Sequence, residues 1–207
     1  GTLLNELKAG GMDVMGLEPN GWAARYGREQ FGIEIRTATV EEAGLEPGSF
    51  DIILLLHVIE HLTDPSEVLE TLRRLLKPGG MLVVETPRYD TLSFKLFGRR
   101  ERNIVDNWHL YFYTKATLRA SMERAGFEVV EDKVPGRTVT VSRLIGAVGK
   151  AFRLRPLEGV GQWLATRKLN SLLSFRLNIR DIYRVYAVAP ESVAPQDRAT
   201  ATATAAD

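Results

Sequence analysis

The chain contains no cysteine and only three histidines among its 207 residues. Without cysteine there is no disulfide, no thiolate ligand for a metal ion and no thiol nucleophile. Such a composition is compatible with a reducing compartment. We therefore expect a cytoplasmic protein.

The sequence also carries almost no net charge and has no long apolar segment. Lys and Arg total 27 against 26 Asp and Glu, a net charge of +1, so the overall charge favours neither nucleic acid nor a membrane as partner. No stretch approaches the about 18 consecutive apolar residues of a membrane span, and no basic region is followed by an apolar signal core. With 44% apolar residues the chain can bury one sizeable core, and we expect one main domain.

Helical and extended patterns alternate along the chain. Strands are predicted over residues 14–18, 33–37, 50–56, 81–85, 127–131 and 182–188. Helices are predicted around residues 3–7, 22–31, 64–76 and 114–125. The unbroken apolar run of 50–56 favours a central strand covered on both faces. This alternation predicts an α/β, doubly wound, mostly parallel sheet with helices on both faces, in which the last two strands are antiparallel neighbours.

The carboxyl ends of parallel strands are where such sheets bind ligands. Here these ends fall at Glu18 and at residues 37–40, 57–61 and 85–88. A carboxylate that closes a strand about 20 residues after a glycine loop can accept both hydroxyl hydrogens of a ribose. Glu18 stands in that relation to Gly1. An acidic residue at this place is by itself more often a solvated turn residue, so the interpretation depends on its neighbours.

Five short motifs form the sequence context on which the interpretation of Glu18 depends. They are Gly16-Leu17-Glu18-Pro19, Gly48-Ser49-Phe50-Asp51, His57-Val58-Ile59-Glu60-His61-Leu62, Leu75-Leu76-Lys77-Pro78-Gly79-Gly80 and Arg124-Ala125-Gly126-Phe127. Each is common alone, but over residues 1–135 their order and spacing resemble class I S-adenosylmethionine (SAM)-dependent methyltransferases. The resemblance is closest to the group that holds the ubiquinone-pathway O-methyltransferases and many bacterial small-molecule methyltransferases. It implies a Rossmann-like core over residues 1–135.

The resemblance implies SAM as the cofactor and assigns residues to it. Glu18 takes the role of the acid that binds the cofactor ribose. Many relatives have an aspartate at Thr39 that contacts the adenine, so the Thr39 hydroxyl or the Val40 backbone would substitute for it. Gly1, Pro19 and His57 complete the predicted cofactor-binding set. The family's first strand and most of its glycine loop would precede Gly1, which implies an N-terminally truncated sequence.

All three histidines, His57, His61 and His109, lie in or after the segment that closes the 50–56 strand. The sulfonium of SAM already activates the methyl group, so a base is needed only for a protonated acceptor. A neutral imidazole within hydrogen-bond reach of a hydroxyl or phenol can serve as that base. We predict His109 and His57 as catalytic residues. For His109, a role in anchoring the aromatic loop 107–113 is an equal alternative.

The spacing His57-x-x-Glu60-His61 also bears on metal binding. It matches an inverted zinc-peptidase pattern, but that pattern requires a helix, whereas His57 follows a predicted strand. Some members of the resembling group use Glu-x-x-Glu-His at this place for a divalent metal. Here His57, Glu60 and His61 would be the ligands, and they suit a zinc- or iron-like ion better than magnesium. Because such clusters are usually caps and hydrogen-bond anchors, the sequence predicts no metal site.

Residues 136–190 form the second predicted region, a basic amphipathic insertion followed by the last strand. Between residues 137 and 184 the chain carries ten basic residues against two acidic ones, Glu158 and Asp181. Apolar residues recur there near helical spacing: Val160, Trp163, Leu164, Leu169, Leu172 and Leu173. This pattern favours either a helix packed on the sheet edge or a lid that contacts an anionic membrane surface or a lipid-like acceptor. The Ala-Thr-rich residues 191–207 are predicted to be a disordered tail.

Taken together, the sequence predicts a SAM-dependent methyltransferase that acts on a small-molecule or lipid-like acceptor at an oxygen atom. A non-catalytic methyltransferase-like scaffold and an RNA methyltransferase are the alternatives. The chain has no Asn-Pro-Pro-aromatic motif after the fourth strand, which disfavours methylation of a nucleobase nitrogen, so nucleic acid is not the expected partner. The sequence predicts no particular oligomeric state.

Overall fold

The computed structural model describes residues 1–91, 94–95, 98, 108–135, 137–142, 145–146, 149, 154–166, 174–177 and 181–191. The predicted tail, apart from Glu191, lies outside these residues. So do most of the basic residues predicted for the insertion, and its leucines Leu169, Leu172 and Leu173.

The first helix-strand units form a small parallel pair. Helix α1 (Thr2–Ala9) precedes strand β1 (Met15–Leu17), and helix α2 (Gly21–Phe31) precedes strand β2 (Glu34–Arg36). The two strands pair in parallel. Asn20 begins α2 because its side chain accepts a hydrogen bond from the Ala23 backbone. This unit has its own apolar cluster, made of Ala24, Ile33 and Ile35 with Leu4, Val14 and Phe31 against them.

The main sheet contains four strands. Strand β3 (Phe50–Leu56), a 3-10 turn (Ile59–His61), helix α3 (Pro65–Leu75) and strand β4 (Leu76–Pro87) follow one another. Helix α4 (Lys115–Arg124) and strand β5 (Glu128–Lys133) come next. Strands β6 (Arg137–Thr140) and β7 (Ser174–Leu177) pair with each other, and helix α5 (Arg155–Ala165) lies between them in the sequence. Strand β8 (Ile182–Val188) is the last element.

The strand order of the main sheet is β3-β4-β8-β5. Strands β3 and β4 are parallel, whereas β8 lies between β4 and β5 and runs antiparallel to both. The predicted α/β class, the mostly parallel strand direction and the antiparallel last strand are therefore confirmed. Strand β8 belongs to the core sheet although it follows the insertion in the sequence.

The bounds of β3 were predicted correctly, but its predicted place within the sheet is wrong. We expected a central strand covered on both faces, but within the described residues β3 pairs only with β4, and Ile52 is 50% exposed. An unbroken apolar run is compatible with burial but carries no information about which strands lie on either side. β3 is thus an edge strand in this structure.

The main core lies between the four-stranded sheet and the helices α3 and α4. Its most deeply buried large apolar side chains come from both helices, from two adjacent strands and from the 3-10 turn: Leu69, Leu82, Val84, Leu118, Met122, Val185 and Ile59. Asp64 begins α3 by accepting hydrogen bonds from the backbone of Ser66 and Glu67. Among the described residues no helix is both long and apolar enough to cross a membrane.

Candidate functional site

The carboxyl end of β3 carries an unusual backbone conformation. His57 follows the strand directly and has φ 54°, a left-handed value that no other non-glycine residue of the described chain adopts. Its N–H donates to the carbonyl of Glu85 at 2.8 Å, which links the ends of β3 and β4. Left-handed backbone costs free energy at a non-glycine residue and is concentrated at functional sites. This turn aims the His57 ring at the carboxylates beside it.

The imidazole of His57 lies between two carboxylates. Its Nδ1 is 3.5 Å from Glu60 Oε1, and its Nε2 is 3.2 Å from Glu85 Oε1. Interactions with Glu60 and then Glu85 raise the pKa of His57 to about 9, against the opposing effect of partial burial. His57 is therefore a cation at neutral pH.

The two carboxylates are held from other sides as well. Glu60 is 1% exposed, and its Oε2 accepts a hydrogen bond from the Thr86 hydroxyl at 2.9 Å. Burial alone would raise the pKa of Glu60, but hydrogen bonds from His57, the backbone and Thr86 bring it below its usual value. The pKa of Glu85 is also lowered, first by His57 and then by Arg184, whose Nε donates to Glu85 Oε2 at 2.7 Å. Both carboxylates are thus ionised at neutral pH.

His61 and His109 lie close to each other and to Glu60. The two rings are 4.8 Å apart between centroids, in an edge arrangement. His61 Nδ1 lies 2.8 Å from the carbonyl oxygen of Trp108, and His109 Nδ1 lies 3.0 Å from the Tyr89 hydroxyl. Glu60, His61 and His109 each place one potential ligand atom within 4.8 Å of the others. Glu60 therefore lies close to all three histidines of the chain, and it forms an ion pair with His57.

The loop that carries His109 is fixed to the same glutamate. The backbone N–H groups of Leu110 and Tyr111 both donate to the Glu60 carbonyl, at 2.8 and 3.1 Å. The Tyr113 ring is buried, and burial raises the pKa of its phenol to about 12. Trp108, Leu110 and Phe112, by contrast, are 78%, 56% and 48% exposed. The site thus combines the buried, polar Glu60 with apolar side chains that are exposed to solvent.

Glu18 lies at the carboxyl end of β1, as predicted. It is half-buried, and its Oε1 accepts a hydrogen bond from the Asn20 backbone at 2.9 Å. No contact to Oε2 is formed within the described residues, so that oxygen can accept from a ligand. Thr39 gives its backbone N–H to Glu42 at 3.2 Å, which leaves its hydroxyl for a ligand, while Val40 packs against the main core. These residues are compatible with an adenosyl group.

Gly1 and Pro19 complete the predicted cofactor set, and both are exposed. Gly1 is the N-cap of α1, and a Cβ there would lie 2.6 Å from the Phe31 ring. A larger residue at position 1 would therefore require the Phe31 ring to move.

The residues that could together hold a metal ion differ from the candidates in the sequence pattern. The sequence pattern pointed to His57, Glu60 and His61, but the structure gathers Glu60, His61 and His109. The left-handed turn at His57 directs its ring to Glu85 instead. His109 comes close through folding of a loop that is distant in the sequence, which local spacing does not show.

Three members of the site were not predicted as functional residues. Glu85 was recognised only as a strand end, and Arg184 was counted among the basic residues of the insertion. The structure instead pairs Arg184 with Glu85 across β4 and β8. Tyr89, which is 6% exposed and contacts His109, gave no sequence signal beyond its position two residues after β4.

Comparison with known proteins gives this site its context. A family model described as a methyltransferase domain matches residues 1–132. The chain belongs to this methyltransferase domain family. It is 38% identical over 102 residues to a protein named ubiquinone biosynthesis O-methyltransferase from Cereibacter sphaeroides, an alignment that covers 46% of this chain and 41% of the relative. The chain spans 26% to 59% of the length of the curated relatives it matches first.

Solved methyltransferase-fold structures share the architecture. A SAM-dependent methyltransferase from Archaeoglobus fulgidus aligns with a TM-score of 0.55 at 19% identity, over 90% of this chain and 80% of that one. A [4+2]-cyclase named SpnF aligns with a TM-score of 0.51 at 16% identity, over 87% of this chain and 68% of that one. At these identities the likeness concerns the fold. The chemistry must be argued from the site.

Proposed function

We propose that this methyltransferase-family protein transfers a methyl group from SAM to an oxygen atom of a small-molecule acceptor. The observation that carries the proposal is the cluster at the carboxyl end of β3, where the buried Glu60 pairs with His57 and lies within 4.8 Å of ligand atoms of His61 and His109. Relatives named ubiquinone biosynthesis O-methyltransferase support oxygen as the acceptor atom. Histidine is also the side chain best suited to remove a proton from a hydroxyl near neutral pH.

Glu18, Thr39 and Val40 are the residues that would hold the adenosyl part of the cofactor. Glu18 has an oxygen available for the ribose hydroxyls, and Thr39 has a hydroxyl available for the adenine. Bound SAM supplies a methyl group on a positively charged sulfur, which is already activated for transfer. The protein must then position the acceptor, remove its proton and keep water away.

The charged groups of the site have separate tasks in this proposal. His57 and Arg184 neutralise Glu60 and Glu85 and fix their orientation. The other two histidines face the aromatic loop and are placed to contact the acceptor. The exposed rings of Trp108 and Phe112 and the side chain of Leu110 favour an acceptor with an apolar part.

The experiment combines binding and turnover. We expect S-adenosylhomocysteine to bind the protein in a calorimetric titration. We also expect methyl transfer from labelled SAM to catechol and, more efficiently, to a 4-alkyl catechol. Binding without transfer to either phenol would contradict oxygen methylation and favour the scaffold alternative. Absence of S-adenosylhomocysteine binding would overturn the proposal as a whole.

A further part of the proposal concerns peripheral contact with an anionic membrane. In α5 the side chains of Val160 and Trp163 are 45% and 56% exposed, and the preceding Leu154 is 47% exposed. Arg155 in the first turn of this helix is also exposed. An apolar surface next to cations is typical of helices that lie on anionic membranes, and the surrounding 137–184 segment has ten basic and two acidic residues.

Vesicle co-sedimentation tests this contact. We expect binding to phosphatidylglycerol vesicles and not to phosphatidylcholine vesicles, with binding weakened by salt. Trp163→Ser should reduce the bound fraction, whereas Trp22→Ser, which removes a similarly exposed tryptophan on α2, should not. Equal sedimentation with both lipids, or none at low salt, would contradict the membrane contact.

A further inference from the structure

We propose that His61 is the general base of the site, the residue whose Nε2 takes the proton from the acceptor hydroxyl. The inference rests on the proposed methyl transfer to oxygen. It also reassigns the catalytic role that the sequence pattern gave to His57.

The hydrogen bond to Trp108 fixes the tautomer of His61. A backbone carbonyl can only accept a hydrogen bond, so the Nδ1 that lies 2.8 Å from the Trp108 oxygen must carry the hydrogen. In the neutral ring the lone pair then lies on Nε2. The side chain is exposed, so an acceptor can reach that nitrogen.

His57 is in the opposite situation. Both of its nitrogens face carboxylate oxygens, at 3.5 Å to Glu60 and 3.2 Å to Glu85, and an ionised carboxylate only accepts hydrogen bonds. Two ionised carboxylates at these distances favour the doubly protonated ring, in which neither nitrogen has a lone pair. His57 therefore acts as a positioning residue that holds the two carboxylates.

His109 differs from both because its Nδ1 partner is a hydroxyl. The Tyr89 hydroxyl can donate or accept, so this contact fits either tautomer of His109. The carbonyl contact of His61, in contrast, places the lone pair on a defined nitrogen.

The surroundings of His61 suit a base. Its potential ligand atom lies within 4.8 Å of those of Glu60 and His109, and Glu60 is buried and also paired with His57. The contact to the Trp108 carbonyl holds the ring at Nδ1, so the ring needs little reorganisation when Nε2 accepts a proton.

The acceptor O–H bond breaks and its proton binds His61 Nε2, while an oxygen electron pair forms the new bond to the methyl carbon of SAM. The carbon–sulfur bond breaks with its electron pair remaining on sulfur. The products are the methyl ether, S-adenosylhomocysteine and protonated His61, which releases its proton to solvent.

The tautomer can be tested without an acceptor. In ¹⁵N-labelled protein at pH 8, long-range ¹H–¹⁵N correlation should show His61 with hydrogen on Nδ1 alone and His57 with hydrogen on both nitrogens. Diethyl pyrocarbonate, which acylates unprotonated imidazole nitrogens, should modify His61 at least about 10-fold faster than His57. A hydrogen on His61 Nε2, or faster modification of His57, would overturn the assignment.

Turnover of catechol provides the second test. His61→Asn retains an N–H that can reach the Trp108 carbonyl but has no basic nitrogen, so kcat should fall by about 100-fold or more while affinity for S-adenosylhomocysteine is unchanged. His61→Ala should regain activity when imidazole is added, which a purely structural loss would not show. An active His61→Asn protein contradicts the proposal. Loss of wild-type activity with a chelator and its return with zinc would also contradict it, because His61 would then be a ligand.

These outcomes separate the inference from the proposed function. If wild-type protein binds no S-adenosylhomocysteine or methylates neither catechol, the proposed function fails, and the labelling and acylation results still decide which nitrogen of His61 is free. If the wild type is active and His61→Asn is equally active, only the base assignment fails.

Discussion

His57 and Arg184 contact the same carboxylate from the two strands that flank β4. His57 Nε2 lies 3.2 Å from Glu85 Oε1, and Arg184 Nε donates to Glu85 Oε2 at 2.7 Å. Glu85 is in β4, His57 follows β3 and Arg184 is in β8, so one carboxylate links three strands. Because β8 follows the insertion in the chain, this linkage connects the insertion's exit to the end of the sheet where the histidines lie.

We predict that this linkage makes the protein less stable at alkaline pH. His57 has a folded-state pKa of about 9, raised from an unperturbed value of 6.5. The contribution of His57 to the free energy of unfolding is therefore fully present below pH 6.5 and is lost as the pH rises through 9. Thermal unfolding followed from pH 6 to 10 should show a decreasing melting temperature over this window.

His57→Asn is the matched variant for this prediction, because asparagine tolerates left-handed backbone better than most residues. Its melting temperature should be lower than that of the wild type at pH 6, and the two should converge towards pH 10. Parallel curves for the two proteins across the whole range would contradict the charged His57.

Replacement of Glu18 should weaken cofactor binding. We expect Glu18→Ala to reduce the affinity for S-adenosylhomocysteine by about 1–3 kcal/mol, because a polar partner of the ribose hydroxyls is lost. Calorimetry measures this affinity directly. Glu29→Ala, which removes an exposed carboxylate from α2, is the control and should bind as the wild type does. Unchanged affinity in Glu18→Ala would remove the assignment of this residue to the cofactor.

Truncation of His109 should affect turnover more than binding. We expect His109→Ala to lower kcat with catechol by about 10-fold or more, with little change in S-adenosylhomocysteine affinity, since His109 lies in the aromatic loop and not beside Glu18. Leu110→Ala keeps the backbone hydrogen bond to Glu60 and should raise KM for a 4-alkyl catechol rather than lower kcat. Equal losses of kcat and cofactor affinity in His109→Ala would indicate a structural role.

The main core should be sensitive to cavities in α3. Leu69 is fully buried, so Leu69→Ala should lower the free energy of unfolding by about 2–5 kcal/mol. Val130 on β5 is 52% exposed, and Val130→Ala should change the free energy of unfolding by less than about 1 kcal/mol. Urea denaturation of both variants gives the comparison. Similar effects of the two substitutions would show that the packing described for α3 is wrong.

Local patterns predicted most of the secondary structure because each depends on neighbouring residues. The run Phe50–Leu56 was predicted at the bounds observed for β3, and Asp64 and Thr114 cap α3 and α4 as their positions suggested. Strand order was less accessible: β3 was predicted as central but lies at an edge of the described sheet. Periodicity reports how a strand is buried and not which strand pairs with it.

The same division holds for the candidate site. The sequence by itself determined that Glu18 and the segment His57–His61 lie at carboxyl ends of strands, because alternating helices and strands direct all parallel strands the same way. Only the tertiary structure decided which atoms meet. The left-handed turn at His57 directs its ring to Glu85, the antiparallel β8 brings Arg184 to that carboxylate, and the loop after β4 brings Trp108 and His109 beside His61. These contacts join residues up to 99 positions apart, and the protonation of each histidine depends on the partner that such contacts supply.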